Sequence, residues 1–425
     1  MIRIIDAEDL EGVAALLSAA RVRDTATDRR VGRIVAEVRS GGDEALLQYA
    51  RTLDHLEGGL EVTRSEILAE AAKVPASVRG AIKTAAKHIR IVAKMQVPKD
   101  WRLDVAPGVS VEQRVTPLDR VGCYVPGGLY PLPSSLLMTA IPARVAGVRE
   151  IIVVCPRPEP VVLAAALEAG ATRVFRIGGA HAVAAMAYGT ESVPRVDKIV
   201  GPGNRFVASA KALVATDCGI DFYAGPTEIL IVASRGPAAW IAADLIAQAE
   251  HDPDARAVLL TPNRALADAV IRAVTAQAPE QGPARTALAR HGGVIVTQTM
   301  DQAMALANNA APEHLVLERE ALLKQARCAG SIFIGPWSAQ VAGDYAIGSN
   351  HVLPTAGASR VRGGLSAADF VRQVTVQRLD EAGLRRLGPT VTALARAEGL
   401  KGHAASIDIR MGVDQPTDRK KANRR

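Results

Sequence analysis

Apolar positions follow a helical period over the first quarter of the chain. Val31, Ile34, Val35 and Val38 fall on one stripe, Gly41-Gly42 interrupts it, and Ala45–Tyr49 resumes it. A second amphipathic stretch runs from Ser65 to Met95 and divides at Pro75. From Trp101 to Val125 the period changes to two, with Pro107-Gly108 as a turn between Leu103–Val105 and Val109–Val115. That pattern predicts antiparallel edge strands. Short apolar runs follow at Ile151–Val154, Val174–Ile177, Lys198–Val200 and Ile229–Val232, separated by helical sequence such as Val161–Glu168 and Ala182–Tyr188. The alternation restarts with Val258–Leu260, Val294–Val296, Leu315–Leu317 and Ser331–Ile334. Apolar strands alternating with helices predict parallel sheets covered on both faces.

The expected fold is therefore α/β, with two Rossmann-like doubly wound domains, a helical N-terminal region and a short C-terminal helical segment. The expected boundaries are an N-terminal arm over 1–26 and a first Rossmann-like domain from 27–118 and 231–363. A second such domain spans 119–230, a C-terminal segment 364–411, and a disordered basic tail 412–425. The segment 364–411 is too small to fold alone and should dock on something.

Composition changes this picture little. A chain of 425 residues with 48% hydrophobic and 22% charged content suits a multidomain globular protein. Of the net charge of +7, five basic groups against two acidic ones put +3 in the tail. What remains is too diffuse to argue for nucleic acid, and 3% aromatics leave few platforms for stacking bases. Four scattered cysteines without a CxxC pair suit a reducing, cytoplasmic setting, where they act as small core residues. No run reaches membrane-spanning length; Ile229–Leu245 comes nearest and is interrupted by Arg235, Gly236, Pro237 and Asp244. Trp101, Trp240 and Trp337 read as packing or interface anchors, and His55, His88 and His291 as solvated or satisfied.

Candidate chemistry centres on Asn308-Asn309-Ala310-Ala311-Pro312-Glu313-His314-Leu315. It sets a carboxylate beside an imidazole at a strand end, where open α/β sheets place ligand sites. Imidazole takes and returns protons near neutrality, and the adjacent carboxylate can tune it or handle a second proton. Gln248 and His251 share one face at the end of a helix over Trp240–Glu250. Asp344 and His351 sit in a glycine-punctuated loop, and His403 lies in the C-terminal segment. Imidazole and carboxylate are zinc ligands, but spacing alone does not assemble these residues, and HExxH is absent. Three glycine clusters follow strand-like runs: Pro126-Gly127-Gly128, Gly178-Gly179-Ala180 and Gly201-Pro202-Gly203-Asn204. Together they point to a nucleotide cleft, although no GxGxxG is present.

The combination resembles the histidinol dehydrogenase family over about residues 28–410. The motifs that carry it include Val125-Pro126-Gly127-Gly128, Leu132-Pro133-Ser134-Ser135, Tyr188-Gly189-Thr190-Glu191 and Ile199-Val200-Gly201-Pro202-Gly203-Asn204. Ala224-Gly225-Pro226-Thr227-Glu228, Gln248-Ala249-Glu250-His251, Ala311-Pro312-Glu313-His314-Leu315 and Asn350-His351-Val352-Leu353-Pro354-Thr355 complete it. The resemblance implies oxidation of L-histidinol through L-histidinaldehyde to L-histidine with two NAD, the end of histidine biosynthesis. It implies Gln248, His251, Asp344 and His403 as ligands of one zinc per subunit, His314 as the base and Glu313 as the activator of water. Thr227, Glu398 and His314, with the metal ligands, match substrate positions; Tyr124, His181 and Asn204 match NAD positions. It further implies a cytoplasmic homodimer in which the C-terminal segment of one subunit completes the site of the other. Thr227 stands where Ser is usual and His181 where Gln is usual, and Tyr223 replaces a smaller residue. Three alternatives stay open: a dehydrogenase for another amino or sulfonated polyol, a zinc hydrolase using Glu313 and His314, and a non-catalytic nucleotide-binding module.

Overall fold

The computed structural model describes residues 2–17, 24–127, 130–223 and 225–413. Most of the tail expected at 412–425 lies outside them, as do Gly128 and Ala224 of the quoted motifs. The strands run β1 (Arg3–Asp6), β2 (Trp101–Ala106), β3 (Val109–Pro117), β4 (Arg120–Tyr124) and β5 (Glu150–Val154). Then come β6 (Arg173–Phe175), β7 (Lys198–Val200), β8 (Gly219–Ile220), β9 (Glu228–Val232) and β10 (Arg256–Thr261). β11 (Gly292–Val296), β12 (His314–Leu317), β13 (Ser331–Ile334) and β14 (Val371–Leu379) complete the set.

Two parallel sheets share one strand order once the edge strand β1 is set aside. The five-stranded sheet runs β6-β5-β4-β7-β8, and the six-stranded sheet β1-β11-β10-β9-β12-β13. Leaving aside β1, which adds an edge to the six-stranded sheet, the chain in each starts centrally, winds outward to one side, then returns and winds to the other. This places a switch point between β4 and β7 in the first sheet and between β9 and β12 in the second. The pairings within both sheets are parallel, and β12 lies in register on β9 with His314 opposite Ile229.

Burial explains the apolar strands. One face of the five-stranded sheet packs Ile152, Val154, Phe175 and Ile199 against Val31, Leu46, Val183 and Val207. These come from helices Thr25–Leu53, Gly179–Tyr188 and Arg205–Val214. The six-stranded sheet is covered on both faces. Ile229, Ile231 and Leu259 meet Ile241, Leu245 and Val270 on one side; Leu230, Val258 and Leu315 meet Leu16, Met304 and Ala307 on the other. The kink at Gly41-Gly42 is real: Gly42 has φ 53°, and a Cβ there would meet the Glu191 carboxylate at 2.6 Å. Only glycine reaches that conformation cheaply.

Several expected boundaries shift. Residues 1–26 are not merely an arm, because β1 forms the edge of the six-stranded sheet. β9 belongs wholly to that sheet, so a boundary at 230/231 cuts a strand. Residues 98–117 do not join the first Rossmann-like domain. With the described residues from Val371 onward they form a separate compact unit, in which β3 pairs antiparallel with both β2 and β14. The C-terminal segment is therefore not purely helical: β14 precedes helices Glu381–Ala397 and Lys401–Arg410. The strand was hidden because it alternates polar residues with few apolar ones, VRQVTVQRL, and stays largely exposed. The three tryptophans are also more open than core anchors: Trp101 is 48%, Trp240 42% and Trp337 85% exposed.

Candidate active site

Helix Met300–Ala310 begins at Thr299, whose side chain accepts from Gln302 N. It ends at Ala311, a buried residue in the left-handed region with φ 48°. Pro312 cannot extend the helix, and the chain turns directly into β12. Glu313 and His314 are thus delivered to the amino-terminal edge of the strand, beside the start of β9. Open α/β sheets usually bind ligands at the carboxyl edge, so this is the opposite end from the one the fold rule favours.

The backbone of Glu228, the first residue of β9, ties the pair together. Its N–H donates to Glu313 Oε2 at 2.8 Å, and its carbonyl lies 3.1 Å from His314 Nδ1. A carbonyl only accepts, so Nδ1 carries the proton and Nε2 keeps a free lone pair. Burial pushes the His314 imidazole down to about 4, which keeps it neutral and able to act as a base. Glu313 Oε2 also accepts from Thr227 Oγ1 at 2.5 Å and lies 3.6 Å from His314 Nδ1. Burial raises the Glu313 carboxyl well above the ordinary range, against the pull of those two donors.

Gln248 stands in the last turn of helix Ala238–Ala249 and is fully buried. Its Nε2 donates to Thr227 Oγ1, so the threonine hydroxyl links the amide to Glu313. This fixes the amide's orientation and leaves Oε1 buried without a hydrogen-bond partner. An orphaned carbonyl oxygen is costly unless something positive meets it. His251 places Nδ1 3.1 Å from the Ala247 carbonyl, which fixes Nε2 as the free nitrogen on an exposed ring. Asp344 lies on the short helix Gln340–Tyr345 rather than in a loop, with Oδ2 accepting from Gln340 Nε2 at 2.8 Å. Its charge and that of His251 both act on His314 and His351, which places these groups around one region. Two imidazoles, a carboxylate and an orphaned amide oxygen suit a divalent cation. Among the described residues no three His, Cys, Asp or Glu side chains form a closed metal cage. Gln248, an amide donor, falls outside that set.

The residues expected on the nucleotide side all stand at the carboxyl edge of the five-stranded sheet. Tyr124 ends β4, and its Oη accepts from Gly179 N at 3.0 Å. Burial pushes that phenol well above its usual range. Gly201, with φ 117°, lies so close that a Cβ would meet the Tyr124 carbonyl oxygen at 2.2 Å. Asn204 caps helix Arg205–Val214, its Oδ1 accepting from Phe206 N and Val207 N, while the residue stays exposed. Helix Gly179–Tyr188 has no cap from the Gly178 side chain, and its first amide, Gly179 N, is met by Tyr124 Oη while Gly178 N donates to Asp54 Oδ2 at 2.8 Å. His181 is 1% exposed and turned inward, with Nε2 2.7 Å from Asp54 Oδ2 and its ring stacked on Tyr49. Glu398 and His403 lie in the smaller unit, at the end of helix Glu381–Ala397 and within helix Lys401–Arg410.

Comparison with known proteins decides the family. The histidinol dehydrogenase family model matches residues 17–411. The chain belongs to the histidinol dehydrogenase family. A histidinol dehydrogenase of Halobacterium salinarum is 47% identical, covering 95% of this chain and 99% of its own. That of Aromatoleum aromaticum is 44% identical, over 96% and 98%. The crystal structure of histidinol dehydrogenase from Elizabethkingia anophelis superposes with a TM-score of 0.92 at 31% identity, covering 97% and 98% of the two chains.

Two members of the site had no role from sequence alone. Glu228 stands in the family motif Ala224–Glu228, but its backbone does the positioning, while its side chain, 3.4 Å from Arg256 Nη1, accepts from Ala356 N. A backbone role leaves no side-chain signature. His351, in Asn350–Thr355, has Nδ1 3.0 Å from the Asp344 carbonyl and 3.9 Å from its Oδ1. Burial lowers its affinity for a proton, so it stands neutral beside the candidate cation site. Proximity to Asp344 in sequence was the available signal.

Proposed function

We propose that this member of the histidinol dehydrogenase family oxidises L-histidinol to L-histidine through the aldehyde, with two NAD. The observation that carries the reading is the chain of contacts Gln248–Thr227–Glu313–Glu228–His314 at the head of β9 and β12. Bound zinc would fix the substrate's amine and imidazole without changing oxidation state, and bound NAD would accept one hydride at each stage. Gln248, His251 and Asp344 would hold the metal, with His403 as the fourth protein ligand.

His314 Nε2, neutral and unpaired, takes the hydroxyl proton in the first oxidation. Glu313, whose buried carboxylate is a stronger base than an exposed one, takes a proton from the water that adds to the aldehyde. The hydrate then loses the second hydride. Thr227 keeps Glu313 and Gln248 in fixed relation, and Glu398 meets the substrate's ammonium. Tyr124, Asn204 and the Gly178-Gly179 turn cradle NAD. His181 serves there through Asp54 and the loop, since its ring nitrogens are buried.

The smaller unit supports a homodimer with shared sites. Its strands β2 and β14 are mostly exposed, and Leu103, Val105, Val374, Leu394 and Ile409 are exposed apolar side chains in it. A small unit with that much open apolar surface suits docking on a second chain. Mixing inactive His314→Ala and His403→Ala proteins and allowing subunit exchange restores part of the activity; heterodimers without recovery contradict the shared site. No helix is long and apolar enough to cross a membrane among the described residues, and we place the enzyme in the cytoplasm without nucleic-acid partners.

The deciding experiment counts NADH formed per histidine produced by zinc-loaded protein. The expected ratio is about two, one hydride per oxidation. A ratio near one with accumulating aldehyde removes Glu313 from its role.

A further inference from the structure

The carboxyl edge of the six-stranded sheet, where the fold rule would place a ligand, holds a cavity that the catalytic residues do not use. It has a volume of about 380 Å³ and lies at the β9/β12 switch point. Ile231 and Ala233 line it from β9 and the residue after it, Val316 and Leu317 from β12, and Trp240 and Asp244 from helix Ala238–Ala249.

Two observations define what this cavity takes. A phosphate is excluded, because a carboxylate already fills its place. Glu318, directly after β12, accepts from Ser234 N at 2.6 Å, from Arg235 N at 3.1 Å and from Ser234 Oγ, and pairs with Arg319. Those loop amides are the ones a phosphate would need. Asp244, by contrast, is half-buried and makes no hydrogen bond or ion pair among the described residues. Burial alone raises its carboxyl to about 6. Arg235, exposed, also lines the cavity but forms no ion pair with Asp244 among the described residues. Trp240, one helical turn before Asp244, lines the same cavity, 42% exposed, its ring centroid 4.9 Å from that of Trp337. A carboxylate without a partner among the described residues, sharing a largely apolar recess with an indole, is an arrangement that holds organic cations.

We infer that this crevice binds a small organic cation with an aromatic or methylated head, its charge toward Asp244 and its apolar body against Trp240, Ile231 and Val316. The site is separate from the Glu313–His314 centre, which lies at the opposite ends of the same two strands. Aromatic quaternary ammonium ions are the simplest probes of that chemistry.

The test is calorimetric titration of the intact zinc-loaded protein with benzyltrimethylammonium, neutral benzyl alcohol and anionic phenylacetate, each with and without saturating L-histidinol. The cation should bind more tightly than either isostere, and histidinol should leave its affinity unchanged. Asp244→Asn should weaken the cation roughly 10-fold or more and Trp240→Leu roughly 10-fold, with histidinol turnover unaffected in both. Equal binding of the three probes, competition by histidinol, or full affinity in folded Asp244→Asn and Trp240→Leu proteins would overturn the assignment.

Discussion

Apart from the edge strand β1, the two parallel sheets have the same strand order, and their candidate sites stand at opposite edges. In the five-stranded sheet the glycine turns, Tyr124 and Asn204 cluster at the carboxyl ends, the location that a doubly wound fold offers without further adjustment. In the six-stranded sheet Glu313 and His314 occupy the amino ends of β12, held by the first residue of β9. One candidate site uses what the topology supplies, namely strand-end turns and a glycine-lined approach. The other is built from specific hydrogen bonds and depends on them.

That contrast predicts how each edge fails. His314→Ala should lower kcat by roughly 100- to 10,000-fold, the range for losing a positioned base, with NAD binding intact. Gly201→Ala should do the reverse: the Cβ strikes the Tyr124 carbonyl, costing on the order of 1–3 kcal/mol of strain, and NAD binding weakens before the chemistry does. Steady-state kinetics with NAD fluorescence titration separate the two. If His314→Ala chiefly weakened NAD binding, the division of labour between the edges would be wrong.

Thr227 offers a finer probe. Thr227→Val removes the hydroxyl between Gln248 and Glu313, leaving buried groups unpaired at about 1–3 kcal/mol, or roughly 10- to 100-fold in kcat/KM. Thr227→Ser keeps the hydroxyl and should stay within about 3-fold of the parent. Equal losses in the two variants would show that shape, not the hydrogen bond, matters here.

A further effect concerns stability against pH in metal-free protein. His314 titrates near 4 when folded, below its ordinary value of 6.5. Between those values the unfolded chain binds more protons, so stability rises with pH through this window and falls as pH drops through it. The contribution is at most on the order of 3 kcal/mol. Urea unfolding at pH 4.5 and 7 should show a smaller difference in His314→Gln than in the parent, and an identical difference would place the coupling elsewhere.

Much of the framework was legible because buried parallel strands leave plain apolar runs. Lys198–Val200 and Ser331–Ile334 form strands over those same residues. β14 was not legible, since a largely exposed strand lacks that run. β1 was missed because its only apolar residues, Ile4 and Ile5, stand half-buried between the exposed Arg3 and Asp6 and form no apolar run. For the site, residue types and motifs pointed to Glu313, His314, Gln248 and His251. The orphaned Gln248 oxygen and the Glu228 backbone hub emerge only when β9 and β12 lie side by side, a long-range fact without local trace.

The most direct test of the central claim is anomalous scattering at the zinc absorption edge from crystals of zinc-loaded protein. A single peak within bonding distance of Gln248 Oε1, a His251 ring nitrogen and an Asp344 carboxylate oxygen is predicted, at about 2.0–2.2 Å. A strong peak away from these three atoms, with Gln248 Oε1 still unpartnered, would contradict it.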